Sequence, residues 1–216
     1  MLVRSLFLAV LCVISFLGAN SLASAETPHS ETQATDARLF PQSTVLYAEI
    51  SNPVELISTI FDHPLREQIE ALPPYKMAIE TPPYRQFLLG RTMVEGQLNM
   101  PWREALETLL AHRVSIAFDA SSQGVAMIIH GKDAESMKLF RDKSLEFAKL
   151  GPTRDKIQHG EHRGVQAYRI DNVRVAAYED RMLITNNSDL GKQIIDRMKD
   201  GGESLADNPR FQAAHA

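Results

Sequence analysis

The densest group of potential metal ligands in the chain is His159-Gly160-Glu161-His162. Two imidazoles and a carboxylate are suitable donors for zinc, but the spacing is not the H-E-x-x-H of a helix that places two histidines on one face. On a strand, His159 and Glu161 would share one side and His162 would point away. Three converging ligands would then need a turn and a fourth donor from elsewhere. A polar hairpin tip is the simpler expectation. The other histidines, His29, His63, His112, His130 and His215, are scattered.

Asn186-Asn187-Ser188-Asp189 is the second segment with chemical potential, because it joins a predicted strand to a predicted helix. The free N–H groups and dipole of a helix N-terminus can hold a carboxylate or phosphate. Here Asp189 would already occupy that field and Ser188 would cap the helix, so capping is the expected role. The chain contains no G-x-S-x-G, no phosphate-binding loop and no G-x-G-x-x-G. Those absences argue against an elbow-type serine hydrolase, a P-loop NTPase and a dinucleotide enzyme. The sequence therefore assigns no catalytic residue, no cofactor-binding residue, no metal ligand and no cofactor.

The elements that would position these segments change character along the chain. A strand is predicted over Thr44 to Ile50, stopped by Ser51-Asn52-Pro53. Asn52 as cap and Pro53 at the first helical position start a helix in which Val54, Ile57 and Ile60 or Phe61 recur at helical spacing. A second short helix runs from Pro64 to about Leu72. The Pro-Pro-Tyr repeats at Pro73 and Pro82 serve as spacers and helix starts. Phe87, Leu88, Val94 and Leu98 fit a helix after Pro83. Trp102, Leu106, Leu109 and Leu110 form one stripe of another, with the tryptophan as a core anchor.

After Arg113 the period shortens. Val114 to Phe118 and Val125 to Ile129 read as a hairpin, followed by a helix capped by Asp133 and ended by Gly151-Pro152. Strands at Val165 to Ile170, Val173 to Tyr178 and Met182 to Thr185 then lead into a helix opened by Ser188. The connections Asp171-Asn172 and Glu179-Asp180 suit hairpins and are too short for parallel crossovers. The predicted class is α+β: a helical N-terminal half, residues 53–112, packed on a mainly antiparallel sheet built from strand-strand-helix units, with the helices on one face.

The N-terminus points to export. Leu6 to Leu17 is an apolar run behind Arg4 and ahead of Ala23-Ser24-Ala25, the small-x-small pattern of a signal cleavage site, so the expected cut lies between Ala25 and Glu26. The run is shorter than the ~20 residues that span a bilayer core. An uncut anchor is the alternative. Cleavage would remove Cys12, the single cysteine, so neither disulfides nor thiolate metal sites would exist within one mature chain. The remaining ~190 residues are enough to be held by core burial alone. Residues 26–38 contain no large apolar residue and are expected to be a flexible lead-in, with an α+β domain over 39–216. The formal net charge is −4 and no basic block occurs, which argues against nucleic acid as a partner.

Leu39-Phe40-Pro41-Gln42-Ser43-Thr44-Val45-Leu46-Tyr47-Ala48-Glu49-Ile50 resembles the L-P-x-x-T-x-x-Y/F-x-x-V/I opening of a group of uncharacterised secreted bacterial proteins common in planctomycetes and myxobacteria. Met182 to Leu190 is similar to that group's L-V-x-(S/T)-x-S-x-x-x-L segment, and Ser204 to Ala214 to its S-L-A-D-x-P-x-F-x-A-A. Phe40 stands where the group usually has leucine. Members are generally longer, so a second half is left unaccounted for, and the resemblance implies export and the fold type and no active-site residues. The helix start at Asn208-Pro209 so near the last residue suggests a shortened copy of a longer architecture. The functional expectation is an exported, non-catalytic binding or structural module, secreted or periplasmic, whose partner is a protein or cell-envelope component. No membrane span is expected after signal removal. The alternative is an extracytoplasmic hydrolase with a site assembled from distant loops.

Overall fold

The computed structural model describes residues 35–150 and 154–214. The apolar leader, the Ala25/Glu26 cleavage site, most of the lead-in and the Gly151-Pro152 helix stop lie outside the described residues. Seven strands form one antiparallel sheet: β1 (Thr44–Ile50), β2 (Arg113–Asp119), β3 (Gly124–His130), β4 (Ile157–His162), β5 (Val165–Ile170), β6 (Val173–Tyr178) and β7 (Arg181–Thr185), in the order β1-β2-β3-β7-β6-β5-β4. Two meanders therefore meet where β3 pairs with β7. The helices are α1 (Pro53–Phe61), α2 (Arg66–Ala71), α3 (Pro73–Ile79), α4 (Pro82–Leu98), α5 (Trp102–Leu109), α6 (Ala134–Leu150), α7 (Ser188–Asp200) and α8 (Pro209–Ala214). The class is α+β. Strand β1 lies within the N-terminal half, so that half is not all helical.

Side chains alternate across a strand, so the sheet has two distinct inner faces. Ala117, Ala126, Ile128 and Leu183 point toward Leu190 and Ile194 of α7 and toward Phe40 and Leu205. Val114, Met127, Ile129 and Met182 point the other way, toward Met137 and Phe140 of α6, Leu98 of α4 and Ala105 of α5. Helices thus cover both faces, which corrects the expectation of a single helical layer. The reason is that both faces of the central strands carry large apolar residues, and each must be covered. At Gly131, between β3 and α6, a Cβ would lie 1.9 Å from Met137 Cε, so any side chain there would displace the end of Met137.

Four further expectations are corrected. Strand β4 replaces the hairpin tip expected at residues 159–162. The tip lies one step later, where Arg163 (φ 53°) and Gly164 (φ 81°) form a two-residue turn of the kind that matches strand twist. Pro73-Pro74 does serve as a helix start, of α3, but the segment it opens is helical and not the expected spacer. Trp102 is only half-buried, edge-on to Phe87 at 6.4 Å, and does not anchor the core. Order begins before Leu39, because Asp36–Arg38 form a 3-10 turn in which Asp36 and Ala37 are buried.

The C-terminal segment folds back onto that first turn. A capping box between Ser204 and Asp207 sets the short turn at Leu205–Asp207. The Leu205 N–H donates to the Phe40 carbonyl at 2.8 Å, and Asn208 Nδ2 to the Gln42 carbonyl at 2.9 Å. The Phe211 ring meets Tyr47 edge-on at 5.7 Å. Deleting residues 208–216 should therefore cost about 2 kcal/mol through the lost ring contact and partial burial, a fall of roughly 4–8 °C in melting temperature. An unchanged melting temperature would mean that the tail contributes no packing.

Candidate functional site

A buried polar cluster sits where β1, β2 and β3 meet the first turn. On the sheet, Glu49 lies opposite Ser115 and Arg113 opposite His130, so these side chains share one face. Asp36 reaches into them from the turn. Its Oδ2 accepts from Ser115 Oγ at 2.6 Å, and its Oδ1 lies 2.8 Å from His130 Nε2 and 3.7 Å from Arg113 Nη1. The Asp36 N–H donates to Glu49 Oε2 at 3.0 Å, an oxygen that also accepts from the Tyr47 hydroxyl. Burial would raise the Asp36 carboxyl, but the hydrogen bond and charge of His130, with Ser115 and Arg113, outweigh it and hold the group below its ordinary value. Burial and the bond to Glu49 push the Tyr47 hydroxyl up.

Serine, histidine and aspartate together suggest nucleophilic chemistry, and the geometry does not support it. A serine nucleophile needs its hydroxyl on the imidazole and the carboxylate behind the imidazole. Here Ser115 and His130 occupy the two oxygens of the same carboxylate, and Ser115 is fully buried. The arrangement ties the first turn to the sheet. Sequence reasoning missed it because Asp36 lies 79 residues from Ser115 and 94 from His130, with no local motif to connect them.

A second cluster closes the β2–β3 turn. Asp119 accepts from the Ser122 N–H at 2.8 Å and from the hydroxyls of Ser121 and Ser122 at 2.8 and 2.6 Å, while Ser43 reaches its other oxygen. Burial raises this carboxyl, but the serine hydrogen bonds, Ser122 first, bring it below its usual range. Asp119 followed by serines is a recognisable side-chain-closed turn, so this cluster was open to sequence reasoning.

The segment at residues 186–189 is a helix start, with one change. Asn187, not Ser188, caps α7, its Oδ1 accepting from the N–H groups of Asp189 and Leu190 at 2.9 and 3.1 Å. Asparagine wins because its carbonyl oxygen reaches both orphan donors while its Nδ2 ties back to the Ser122 carbonyl at 2.8 Å. The residues at 159–162 diverge as strand alternation dictates. His159 meets the Tyr168 ring edge-on at 4.7 Å, whereas His162 Nε2 lies 2.8 Å from Asp196 Oδ1 of α7, on the opposite face. Among the described residues, no three His, Cys, Asp or Glu side chains converge as a metal site.

The helical arm α1–α4 leaves apolar side chains uncovered. Helices α2 and α3 bury no residue, and α4 buries only Leu98. Leu65, Ile69, Leu72 and Phe87 are about half exposed, and Met77 and Leu89 about two-thirds. Some of the arm's charges are paired: Arg66 with Glu70 at 2.7 Å, and Asp62 at 2.6 Å with Arg103 of α5, which also holds Glu107 at 2.7 Å. Such exposed pairs add little stability, but they leave the apolar residues as the distinguishing surface. No helix among the described residues is long and apolar enough to cross a membrane.

Compared with protein-family models, with curated proteins and with solved structures, the chain matches none.

Proposed function

We propose that this protein is an exported, non-catalytic binding module that works in the periplasm or outside the cell, docking a protein or cell-envelope component on the helical arm α1–α4. The observation that carries this reading is the contrast between the arm and the rest. The polar clusters at Asp36 and Asp119 are hydrogen-bonded among themselves, whereas the arm exposes large apolar side chains on helices that bury almost nothing. Exposed apolar surface of this kind marks interaction sites in soluble proteins. Export is supported by the run Leu6 to Leu17 ahead of Ala23-Ser24-Ala25. The resemblance to secreted bacterial proteins of planctomycete and myxobacterial type supports the same location.

Two measurements test the proposal. N-terminal sequencing of the exported protein should begin at Glu26, and Met1 retained on membrane-bound material would favour an anchor instead. The triple variant Leu72→Glu, Met77→Glu, Leu89→Glu should fold with stability within about 0.5 kcal/mol of the parent, because these positions are exposed. It should lose the partner that the parent retains from an extracytoplasmic fraction. Retention of the same partner at the same strength would remove the arm as the docking surface.

A further inference from the structure

Helix α7 lies over β3 and β7 and leaves part of the same sheet face open toward β4. The opening is a groove of about 120 Å³, floored by Ala167, Ala176 and Leu183 and walled on the helix side by Gly191 and Ile195. Small residues at three of these five positions, Ala167, Ala176 and Gly191, keep it open. Parts of the two sequence segments that drew attention for chemistry line it: Gly160, Glu161 and His162 of the first and Ser188 of the second, next to Thr185.

Its charge is uneven. Arg174 lines the groove, and Arg169 stands directly opposite Arg174 on the neighbouring strand, so two guanidinium groups share one face. Like charges in that position repel. Arg174 Nη1 donates to the Asn186 carbonyl at 2.7 Å and Arg169 Nε to the Asp171 carbonyl at 2.8 Å. Among the described residues neither forms an ion pair with a carboxylate. Lys192, on the opposite wall, is 3.8 Å from Asp189 in an exposed, loosely held pair. Of the other charged groups at the groove, His162 is taken by Asp196, and Glu161 sits on the β4 rim.

We propose that this groove binds a small aliphatic carboxylate, with the hydrocarbon tail over Ala167, Ala176 and Ile195 and the carboxylate between Arg174 and Lys192. A guanidinium fork matches a carboxylate in two hydrogen bonds, and Lys192 adds a second positive charge at the same groove. The apolar floor requires a tail, and the groove is open to solvent, so an alkyl chain can extend past its end. The site is independent of the helical arm.

Hexanoate is the test ligand, titrated into the full exported protein and followed by amide NMR shifts, with hexanol, hexylammonium and inorganic phosphate in parallel. Hexanoate should shift the amides of Ala167, Ala176, Gly191 and Ile195 and saturate at millimolar concentration. Hexanol and hexylammonium should bind at least ~10-fold more weakly, since each lacks the charge-assisted bonds. Lys192→Gln should weaken hexanoate roughly threefold or more. Ala167→Leu, which fills the groove from a half-buried position, should abolish binding with the melting temperature kept. Hexanol binding as tightly as hexanoate, phosphate saturating the same amides at equal concentration, or no saturable shift with any probe would each overturn the proposal.

Discussion

Asp36→Ala is expected to destabilise the protein by about 3–5 kcal/mol, the range found when one member of a buried charged pair is removed. The substitution takes away the acceptor of Ser115 Oγ and the partner of His130, both in buried surroundings, and leaves Arg113 beside the vacated position. Asp36→Asn keeps the shape and one acceptor oxygen, so it should cost about half as much. Urea unfolding at neutral pH measures both. A loss below about 1 kcal/mol for Asp36→Ala would mean that the first turn is not held by this cluster.

The same carboxylate gives a pH signature whose sign follows from its lowered value in the folded protein. A carboxyl depressed on folding stabilises the native state above its unfolded value of about 4, and that stabilisation is lost as pH falls through the folded value. Parent stability should fall between neutral pH and pH ~3, and the Asp36→Asn profile should be flatter in that acid window. It will not be flat, since Asp119 and Asp207 are also held low by their hydrogen bonds. Parallel profiles for parent and variant would show that Asp36 is not coupled to folding.

The legible parts of this chain were those in which local pattern and tertiary demand agree. Strands β2, β3 and β5 to β7 carry β-branched residues, and their turns, such as Asp171-Asn172, are short and polar, so both position and antiparallel pairing followed from sequence. Strand β4 was missed because Ile157 is its single large apolar residue: an edge strand of mostly exposed side chains need not alternate. Helical spacing located α1, α2 and α4 to α7, but periodicity does not distinguish a stripe that meets a core from one that faces solvent. Leu65, Ile69 and Leu72 satisfy the helical period and remain exposed. Asp36 was read as part of a flexible lead-in because its neighbours are polar. Its order comes from groups on three strands that the sequence does not bring near it. The cap of α7 was displaced by one residue, since Asn187 and Ser188 are both good caps and the tie to the Ser122 carbonyl decides between them.

Phe40→Ala is the second substitution expected to have a large effect. The side chain is fully buried among Ala37, Ala117, Leu190 and Leu205, where the first turn, the sheet, α7 and the C-terminal segment meet. Its ring also meets Tyr47 edge-on at 5.6 Å, and Tyr47 in turn meets Phe211, so truncation opens a cavity at one end of a chain of three rings. The cost should be about 3–5 kcal/mol, the range for a buried aromatic cut to alanine. Phe211→Ala, at a partly exposed ring, should cost about 1 kcal/mol. Because Tyr47 bridges the two, the double variant should lose less than the sum of the single losses, by roughly 0.5 kcal/mol or more. Additive losses would show that the first turn and the C-terminal segment pack on the sheet separately. A sub-additive result would establish that the two ends of the described chain complete one core, with Phe40 as the residue on which both depend.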